Sequence, residues 1–292
     1  MAETKVSGKT KEIIISSEKP TVLIGERINP TGRKKLSAEL QKGNLDIIEK
    51  EALEQVSAGA DIIDVNVGAT GVDEVVLLPE AISRLMEKID VPLCLDSSNP
   101  KALAKALEIY QGKALVNSVK GEESSLKTIL PLIKEYNAAV IALPVDEAGI
   151  PFTVEKRLEI SAKILNAAEL LGISKENIII DCLALTLGTN DQAGKIVLAT
   201  IENIKEKLDV NITVGASNIS FGLPDRNLIN NVFLAAAISK GLTCPIVDVA
   251  AVIQSVLAID LVLGKDRFAL RYVKNYRRKK AEGGGGCIKS LT

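Results

Sequence analysis

Short apolar runs of strand length recur along the chain, and each is bounded by turn-forming residues. They read as unbroken Val, Ile and Leu rather than as alternating positions, which is typical of parallel strands buried on both faces. Apolar residues at helical spacing fill the gaps between these runs. The predicted strands are 21–28, 61–67, 91–96, 113–119, 138–145, 177–182, 211–216 and 244–249. The predicted helices are 44–58, 72–89, 99–110, 122–136, 153–171, 190–208, 227–241 and 252–264.

Eight strand–helix units of this total length are expected of a (β/α)8 TIM barrel. A doubly wound sheet is the competing α/β layout, but its GxGxxG turn after the first strand is missing here. We therefore predict one α/β barrel domain over 21–280, including a C-terminal helix. Residues 1–20 are then an N-terminal extension, and the Gly-rich segment 281–292 is predicted to be a disordered tail.

Composition excludes several classes of protein. The 292 residues carry a net charge of -1, so no strong field favours nucleic acid or a membrane surface. The chain shows neither an apolar run of membrane-spanning length nor the apolar core of a signal peptide at its start, so we expect a cytoplasmic protein. Histidine is absent, which excludes zincin motifs, Ser-His-Asp triads and Cys-His pairs.

The cysteines do not suggest a metal site either. Cys94, Cys182 and Cys244 lie inside predicted strands, Cys287 lies in the tail, and no pair has CxxC spacing. This arrangement favours buried, reduced thiols in the three strand positions.

Polar residues cluster where the predicted strands end, which is the end of a barrel that carries its chemistry. Such residues also cap the following helix in any α/β protein, so each one alone could be structural. Four aspartates differ because each closes an unbroken apolar run and should face inward at the rim: Asp64, Asp96, Asp181 and Asp248. A carboxylate placed there needs a hydrogen-bond donor, because an unpaired one costs several kcal/mol.

Three kinds of ligand could supply that donor. Phosphate is disfavoured, since the last two strand ends, 214–218 and 244–250, offer one glycine and an aspartate instead of a basic, Gly-rich turn. Oxygen-only binding of Mg²⁺ by Asp64, Asp96 and Asp181 is an alternative. A planar heterocycle with an amide–amidine edge fits better, because carboxylates and Asn amides match its N–H groups and acceptors. That is the edge of a pterin.

These strand ends resemble a known family over about 20–265. The similarity is to the pterin-binding barrels of the methyltetrahydrofolate methyltransferases, which exchange a methyl group between tetrahydrofolate and a corrinoid protein. The folate domain of cobalamin-dependent methionine synthase belongs to the same group. The motifs that carry the resemblance, in order, are GERIN–TG (25–32), DVNVG (64–68), LCLDSSN (93–99), LVNSV (115–119), IIDC (179–182) and GASNISFGLPDRNLIN (215–230).

The resemblance implies roles for individual residues. Asp181 corresponds to the carboxylate that accepts from pterin N3 and the 2-amino group, and Asp96 and Asn117 to residues that bind the remaining edge. Asn218 corresponds to the amide near N5, so Asn218 and Asp96 are the candidate catalytic residues. The other expected lining residues are Glu26, Asp64, Asn66, Gly215, Ser217 and Arg226. Arg27 is the expected competing partner of Glu26.

The resemblance also implies partners. Tetrahydrofolate would be the substrate, and the corrinoid would be carried by another protein, because the chain lacks the DxHxxG string of a cobalamin-binding domain. It implies a homodimer and no directly bound metal. Two alternatives stay open, a dihydropteroate synthase-like enzyme and a non-catalytic folate-binding subunit that docks a corrinoid protein. The direction of methyl transfer is not encoded in these motifs.

Overall fold

Eight parallel strands form a barrel at the centre of the computed structural model, which describes residues 2–282. They are β3 (Ile24–Ile28), β4 (Ile62–Val65), β5 (Leu93–Asp96), β6 (Leu115–Lys120), β7 (Ala139–Leu143), β8 (Ile178–Asp181), β9 (Asn211–Thr213) and β10 (Ile246–Val247). From β3 to β9 each strand pairs with the next one along the chain, and β10 pairs with β3. The Ile246 N–H donates to the Val214 carbonyl at 3.0 Å, which links β10 to β9. The predicted barrel is confirmed.

Helices surround the barrel. They are α1 (Lys34–Gln41), α2 (Asp46–Ala58), α3 (Glu74–Lys88), α4 (Pro100–Ile109), α5 (Glu123–Glu135), α6 (Val154–Leu170), α7 (Ala193–Leu208), α8 (Arg226–Lys240), α9 (Val249–Val262) and α10 (Leu270–Glu282). All eight predicted helices are present. The sequence pattern did not predict α1, which is short and buries only Leu36 and Leu40. None of the helices within residues 2–282 has the length and apolar character needed to cross a membrane.

Residues 2–20, which lie in the predicted N-terminal extension, contain a folded element. An antiparallel hairpin of β1 (Thr4–Ser7) and β2 (Glu12–Ile15) covers the amino-terminal end of the barrel. Val6 and Ile15 are fully buried in the same apolar cluster as the barrel interior. The sequence pattern did not predict this hairpin because the segment is mostly polar, and only one face of a short hairpin has to be apolar.

One barrel side chain fixes the hairpin. Asn211, the first residue of β9, is buried, and its amide donates to the Ala2 and Ile15 carbonyls and to Thr4 Oγ1 at 3.3, 2.9 and 2.9 Å. The amino-terminal end of the barrel is therefore closed, which leaves the carboxyl end for a ligand.

The barrel interior changes from apolar to polar along its axis. Alternate residues of a strand face the same side, so the residue two positions after a buried apolar one also faces inward. The lower layer includes Ile62, Cys94, Leu115 and Ile179, all fully buried. Two residues further on, the same strands present Asp64, Asp96, Asn117 and Asp181. The carboxyl end of the barrel is thus lined with carboxylates and amides.

Two further predictions concern the cysteines and the C-terminal segment. Cys94, Cys182 and Cys244 are buried and unpaired, as expected, whereas Cys287 lies outside the described residues. The tail predicted from residue 281 also lies outside them, apart from Ala281 and Glu282, which end α10.

Candidate active site

Four of the predicted site residues form one hydrogen-bonded group on β4, β5 and β6. Asp96 and Asn117 lie opposite each other in register on neighbouring strands. The Asn66 amide donates to Asp96 Oδ2 at 2.9 Å, and the Asn117 amide donates to Asp64 Oδ1 at 3.2 Å. The Gly68 N–H donates to Asn66 Oδ1 at 2.8 Å, which turns the NH₂ group of Asn66 toward Asp96.

Burial controls the protonation of the two carboxyls in this group. It raises the pKa of Asp64 well above its ordinary value, and the charge of the neighbouring Asp96 raises that pKa further. Burial also raises the pKa of Asp96, while the Asn66 amide and a hydrogen bond from Asp64 lower it. Two neighbouring carboxyls in a buried site do not both ionise readily, so Asp64 and Asp96 titrate as a coupled pair.

Asp181 is the last residue of β8, on the opposite side of the barrel mouth from this group. Its Oδ1 accepts the Leu183 N–H at 2.7 Å, and Leu183 has a positive φ of 55° that brings this N–H back to the carboxylate. Burial raises the pKa of Asp181 to about 6, against the lowering effect of that hydrogen bond. The outer oxygen of the carboxylate is the one left for a ligand.

A buried arginine on α6 fixes the turn after Asp181. Arg157 is 1% exposed, and its guanidinium donates to the carbonyls of Cys182, Leu183 and Pro151 at 2.6, 3.1 and 3.1 Å. The sequence analysis did not identify Arg157 as a buried or functional residue. Its spacing gives the signal, since 157, 161, 164 and 168 form the buried stripe of this helix.

A second hydrogen-bonded group joins the first barrel strand to the turn after β9. Ser217 Oγ donates to Glu26 Oε1 at 2.6 Å, and Arg226 donates to the Ser217 carbonyl at 2.8 Å and to Ser220 Oγ at 3.1 Å. Burial raises the pKa of Glu26, partly offset by the Ser217 hydrogen bond. Glu26, Ser217 and Arg226, together with Asp248, line a cavity of about 200 Å³.

Asn218 lies in the short helical turn Ala216–Ser220 that follows β9. It is exposed, and within residues 2–282 its side-chain amide has no hydrogen-bond partner. Its Nδ2 would lie only 3.1 Å from a Cβ added at Gly215. Gly215 therefore leaves room for the amide beside the end of β9, where it is free to meet a ligand.

The sequence profile described as "Pterin binding enzyme" matches residues 25–248, which run from β3 to the residue after β10. That range contains every predicted site residue. The chain belongs to the pterin-binding enzymes.

Within this family, the chain is similar to transferases that act on folates. It is 32% identical over 267 residues to the methylcorrinoid:tetrahydrofolate methyltransferase of Eubacterium limosum, covering 89% of this chain and 97% of the relative. It is 34% identical to the methionine synthase of Mycobacterium leprae over 277 residues, covering 86% of the chain but only 23% of that larger protein. The family recognised from the strand-end motifs is thereby confirmed, and this pterin-binding enzyme is a transferase.

Solved structures with the same fold are more distant in sequence. A dihydropteroate synthase from Xanthomonas albilineans, in complex with 7,8-dihydropteroate, superposes with a TM-score of 0.66 at 20% identity, over 86% of this chain and 95% of that one. A dihydropteroate synthase from Yersinia pestis gives a TM-score of 0.68 at 15% identity, over 89% and 100%. At this identity the likeness establishes the barrel fold.

The structure of this pterin-binding enzyme corrects one expected contact. Arg27 does not pair with Glu26. Its guanidinium binds Glu51 at 2.7 Å and Asp248 at 3.2 Å, and Glu51 raises its pKa. Since successive residues of a strand face opposite sides, Glu26 points into the barrel and Arg27 points out toward α2. Glu26 is therefore held by Ser217.

The predicted residues are not all in contact. Asp64, Asn66, Asp96 and Asn117 form one group, and Glu26, Ser217 and Arg226 form another. Asp181 and Asn218 line the same end of the barrel without a side-chain hydrogen bond to either group, as far as residues 2–282 show. No set of three or more acidic or cysteine side chains within these residues is placed to hold a metal ion, which leaves the magnesium alternative without a ligand set.

Proposed function

We propose that this enzyme transfers a methyl group between N5 of tetrahydrofolate and the cobalt of a corrinoid carried by a partner protein. The observation that carries the proposal is the polar layer at the carboxyl end of the barrel, where Asp96, Asn117 and Asp181 face inward. The named activity of the Eubacterium limosum relative, which the chain matches over almost its whole length, supports it. A cytoplasmic homodimer completes the proposal.

The pterin is recognised through its hydrogen-bonding edge. Asp181 accepts from N3 and the 2-amino group, because a carboxylate takes two parallel N–H donors. Asp96 and Asn117 bind the remaining edge, and Asn66 orients Asp96 for this through the 2.9 Å hydrogen bond. Asp64 supports Asn117 from beneath. The pterin ring thereby lies across the barrel mouth with its reactive atom toward the turn after β9.

Asn218 acts on the reacting atom. N5 of tetrahydrofolate is a poor leaving group, so displacement of its methyl group requires N5 to be protonated or hydrogen-bonded as charge develops. A neutral amide within hydrogen-bond reach of N5 stabilises that charge more in the transition state than in the ground state. Gly215 gives the Asn218 amide its position, and Glu26, Ser217 and Arg226 form the neighbouring wall.

The proton for N5 has to come from a group other than histidine, since the chain has none. Water, a carboxylic acid or a hydrogen-bonded network can supply it. The Asp64–Asp96 pair is the candidate carboxylic acid, because burial raises the pKa values of both groups.

The decisive experiment mixes the protein with methyltetrahydrofolate and reduced cob(I)alamin and records the corrinoid spectrum. We expect conversion to the methylated form at a rate proportional to enzyme. Folate binding without any spectral change would instead favour a non-catalytic docking subunit. Production of dihydropteroate from a pterin pyrophosphate would favour a dihydropteroate synthase, although Glu26 and Asp248 disfavour an anionic group at their cavity.

A further inference from the structure

Three neighbouring loops at the barrel mouth each contain a stretch without any charged residue. The stretches are 148–153 in the loop after β7, 182–190 after β8 and 214–224 after β9. We call these three stretches together the neutral rim. Charged residues make up 25% of the chain, and loops on the other side of the mouth carry them, for example Arg33 after β3 and Glu122 after β6. The mouth therefore has one neutral side and one charged side.

The neutral rim exposes large apolar side chains to solvent. Phe152 and Phe221 are each 67% exposed, and Ile150 is 43% exposed. The whole chain has four phenylalanines, so half of them lie on this rim. Single exposed apolar side chains are normal on a protein surface, whereas several on one continuous surface indicate a binding site.

Hydrogen bonds join the three loops into one surface. Arg157 donates to the Pro151 carbonyl in the first loop and to the Leu183 carbonyl in the second, each at 3.1 Å. In the second loop, Thr186 Oγ1 donates to the Phe221 carbonyl of the third loop at 2.6 Å. The backbone of the neutral rim is therefore continuous across β7, β8 and β9, and it is ordered before any partner binds.

The neutral rim also borders the position proposed for the reacting atom. The Phe221 N–H donates to the Asn218 carbonyl at 3.2 Å, so the two side chains leave the same turn. The Arg226 guanidinium lies over the Phe221 ring, 5.9 Å from its centroid, and donates to the Ser217 carbonyl in that turn. A broad molecule that brings one atom close to the Asn218 amide also covers Phe221.

We propose that the neutral rim binds the corrin macrocycle of the methyl acceptor directly, with Phe152 and Phe221 against its apolar edge. The proposal rests on the function proposed above. In-line displacement brings cobalt to the methyl group on N5, and the corrin ring around the cobalt then extends over the neighbouring side chains. The edge of that ring carries methyl groups and uncharged amide side chains.

Charge complementarity favours this occupant and this side of the mouth. The cobalt(I) macrocycle has no net charge, because the cobalt ion balances the monoanionic corrin ring. A neutral apolar surface can cover it without cost, whereas charged side chains such as Arg33 and Glu122 would lose hydration beneath it. Since no ion pair is involved, we expect binding of the macrocycle to be insensitive to ionic strength.

The test measures KM for free cob(I)alamin at saturating methyltetrahydrofolate. Truncation of an aromatic anchor typically weakens binding by about tenfold or more, so Phe221→Ala and Phe152→Ala should each raise this KM about tenfold. We expect little change in kcat and in the dissociation constant for methyltetrahydrofolate, and Phe221→Leu should keep most of the corrinoid affinity. The same increase is expected with cob(I)inamide, which has the macrocycle without the nucleotide tail.

Phe268→Ala is the matched control. Phe268 is 82% exposed, and it follows α9, whose residue Asp260 accepts the Thr21 N–H at 2.8 Å ahead of β3. It therefore lies toward the amino-terminal end of the barrel, away from the mouth. Its truncation removes the same exposed ring and should leave the KM for cob(I)alamin unchanged.

Each contrary result has a distinct meaning. Unchanged KM values in both rim variants, with normal turnover of the unaltered protein, would overturn this proposal and leave the methyltransferase supported. An increase for cob(I)alamin but not for cob(I)inamide would overturn it in favour of contact with the nucleotide tail. A defect seen only with a corrinoid protein as acceptor would overturn it in favour of a protein-docking surface. Absence of turnover in the unaltered protein would reject the proposed function and the neutral rim together.

Discussion

Asp64 and Asp96 lie on adjacent strands inside the barrel mouth, and each changes the protonation of the other. The charge of Asp96 raises the pKa of Asp64, and a hydrogen bond from Asp64 lowers the pKa of Asp96. Each carboxyl also has its own amide, Asn117 for Asp64 and Asn66 for Asp96. The two side chains therefore behave as one titrating unit within the candidate active site.

Burial raises the pKa of Asp181 without the influence of a second carboxyl. Its effect on the pH dependence of protein stability is therefore the easiest to measure. Burial raises its pKa to about 6, above the ordinary 3.8. The folded state then binds this proton more tightly than the unfolded state, and its contribution to stability is lost as pH rises from about 4 to about 6. Relative to the unaltered protein, Asp181→Asn should gain up to about 3 kcal/mol over that range. Urea unfolding between pH 4 and 8 measures the difference, and a constant difference would contradict the expectation.

Asn218→Ala should separate catalysis from binding. The amide is exposed and lacks a protein partner within residues 2–282, so its loss should not disturb folding. Removing one transition-state donor costs about 10²–10³ in kcat. We expect kcat for methyl transfer to fall by about that factor, and the dissociation constant for folate to change by less than about threefold. Stopped-flow rates and folate titration provide the two values, and weaker binding at unchanged turnover would reject this role.

Gly215→Ala should reach the same amide indirectly. The backbone of Gly215 has a φ of -70°, which alanine adopts freely, but its new Cβ would lie 3.1 Å from Asn218 Nδ2. The amide has to move by a few tenths of an ångström, so methyl transfer should fall about tenfold or more while stability is kept. Gly194→Ala is the matched control, because its Cβ would meet only Leu187 at an ordinary 3.5 Å. Equal rates for both variants would show that the position of the amide is not critical.

Arg157→Met should destabilise the barrel and weaken folate binding together. The substitution leaves the carbonyls of Cys182, Leu183 and Pro151 without their donor, and each unsatisfied buried acceptor costs about 1–3 kcal/mol. We expect a loss of at least about 3 kcal/mol in the free energy of unfolding. The adjacent Lys156→Met removes only partly exposed ion pairs, with Glu159 at 2.7 Å and Asp146 at 3.6 Å, and should cost less than about 1 kcal/mol. Chemical denaturation of both variants measures the loss of unfolding free energy caused by each substitution.

Asn211→Ala should release the N-terminal hairpin. The amide makes three hydrogen bonds to that segment, and its removal leaves buried acceptors without a donor. We expect a loss of about 2–4 kcal/mol in unfolding free energy and faster amide exchange in residues 4–15. Asn203→Ala, whose amide donates within its own helix to the Ala199 carbonyl, is the control. Unchanged exchange in the hairpin would show that apolar packing alone holds it.

Most of the barrel could be predicted from the sequence because each strand is an unbroken apolar run followed by a polar residue. The pattern failed where few side chains are buried. The helix α1 buries only Leu36 and Leu40, and the hairpin has one short apolar stretch, the three isoleucines 13–15, within polar surroundings. Short elements of this kind are specified by what they pack against, which a local pattern does not contain.

For the candidate site, the sequence predicted where the residues lie but not which residues they contact. The strand-end positions of Asp64, Asp96 and Asp181 follow from periodicity, but their hydrogen-bond partners do not. Arg27 contacts Asp248 at a sequence separation of 221 positions, and Ser217 contacts Glu26 at a separation of 191. Contacts of that range depend on closure of the barrel, and this is why the sequence suggested Arg27 as the partner of Glu26.

The hairpin at the base of the barrel has a consequence for biosynthesis. Its residues are synthesised before those of the barrel, yet the amide that binds them belongs to Asn211, which follows 196 to 209 positions later. Until that point the apolar face formed by Val6, Ile13 and Ile15 has no barrel to cover, and contacts of such long range form slowly. We therefore expect the nascent chain to expose an aggregation-prone edge until the barrel strands through β9 have been made, and closure of the barrel base to be a late step in folding of this domain.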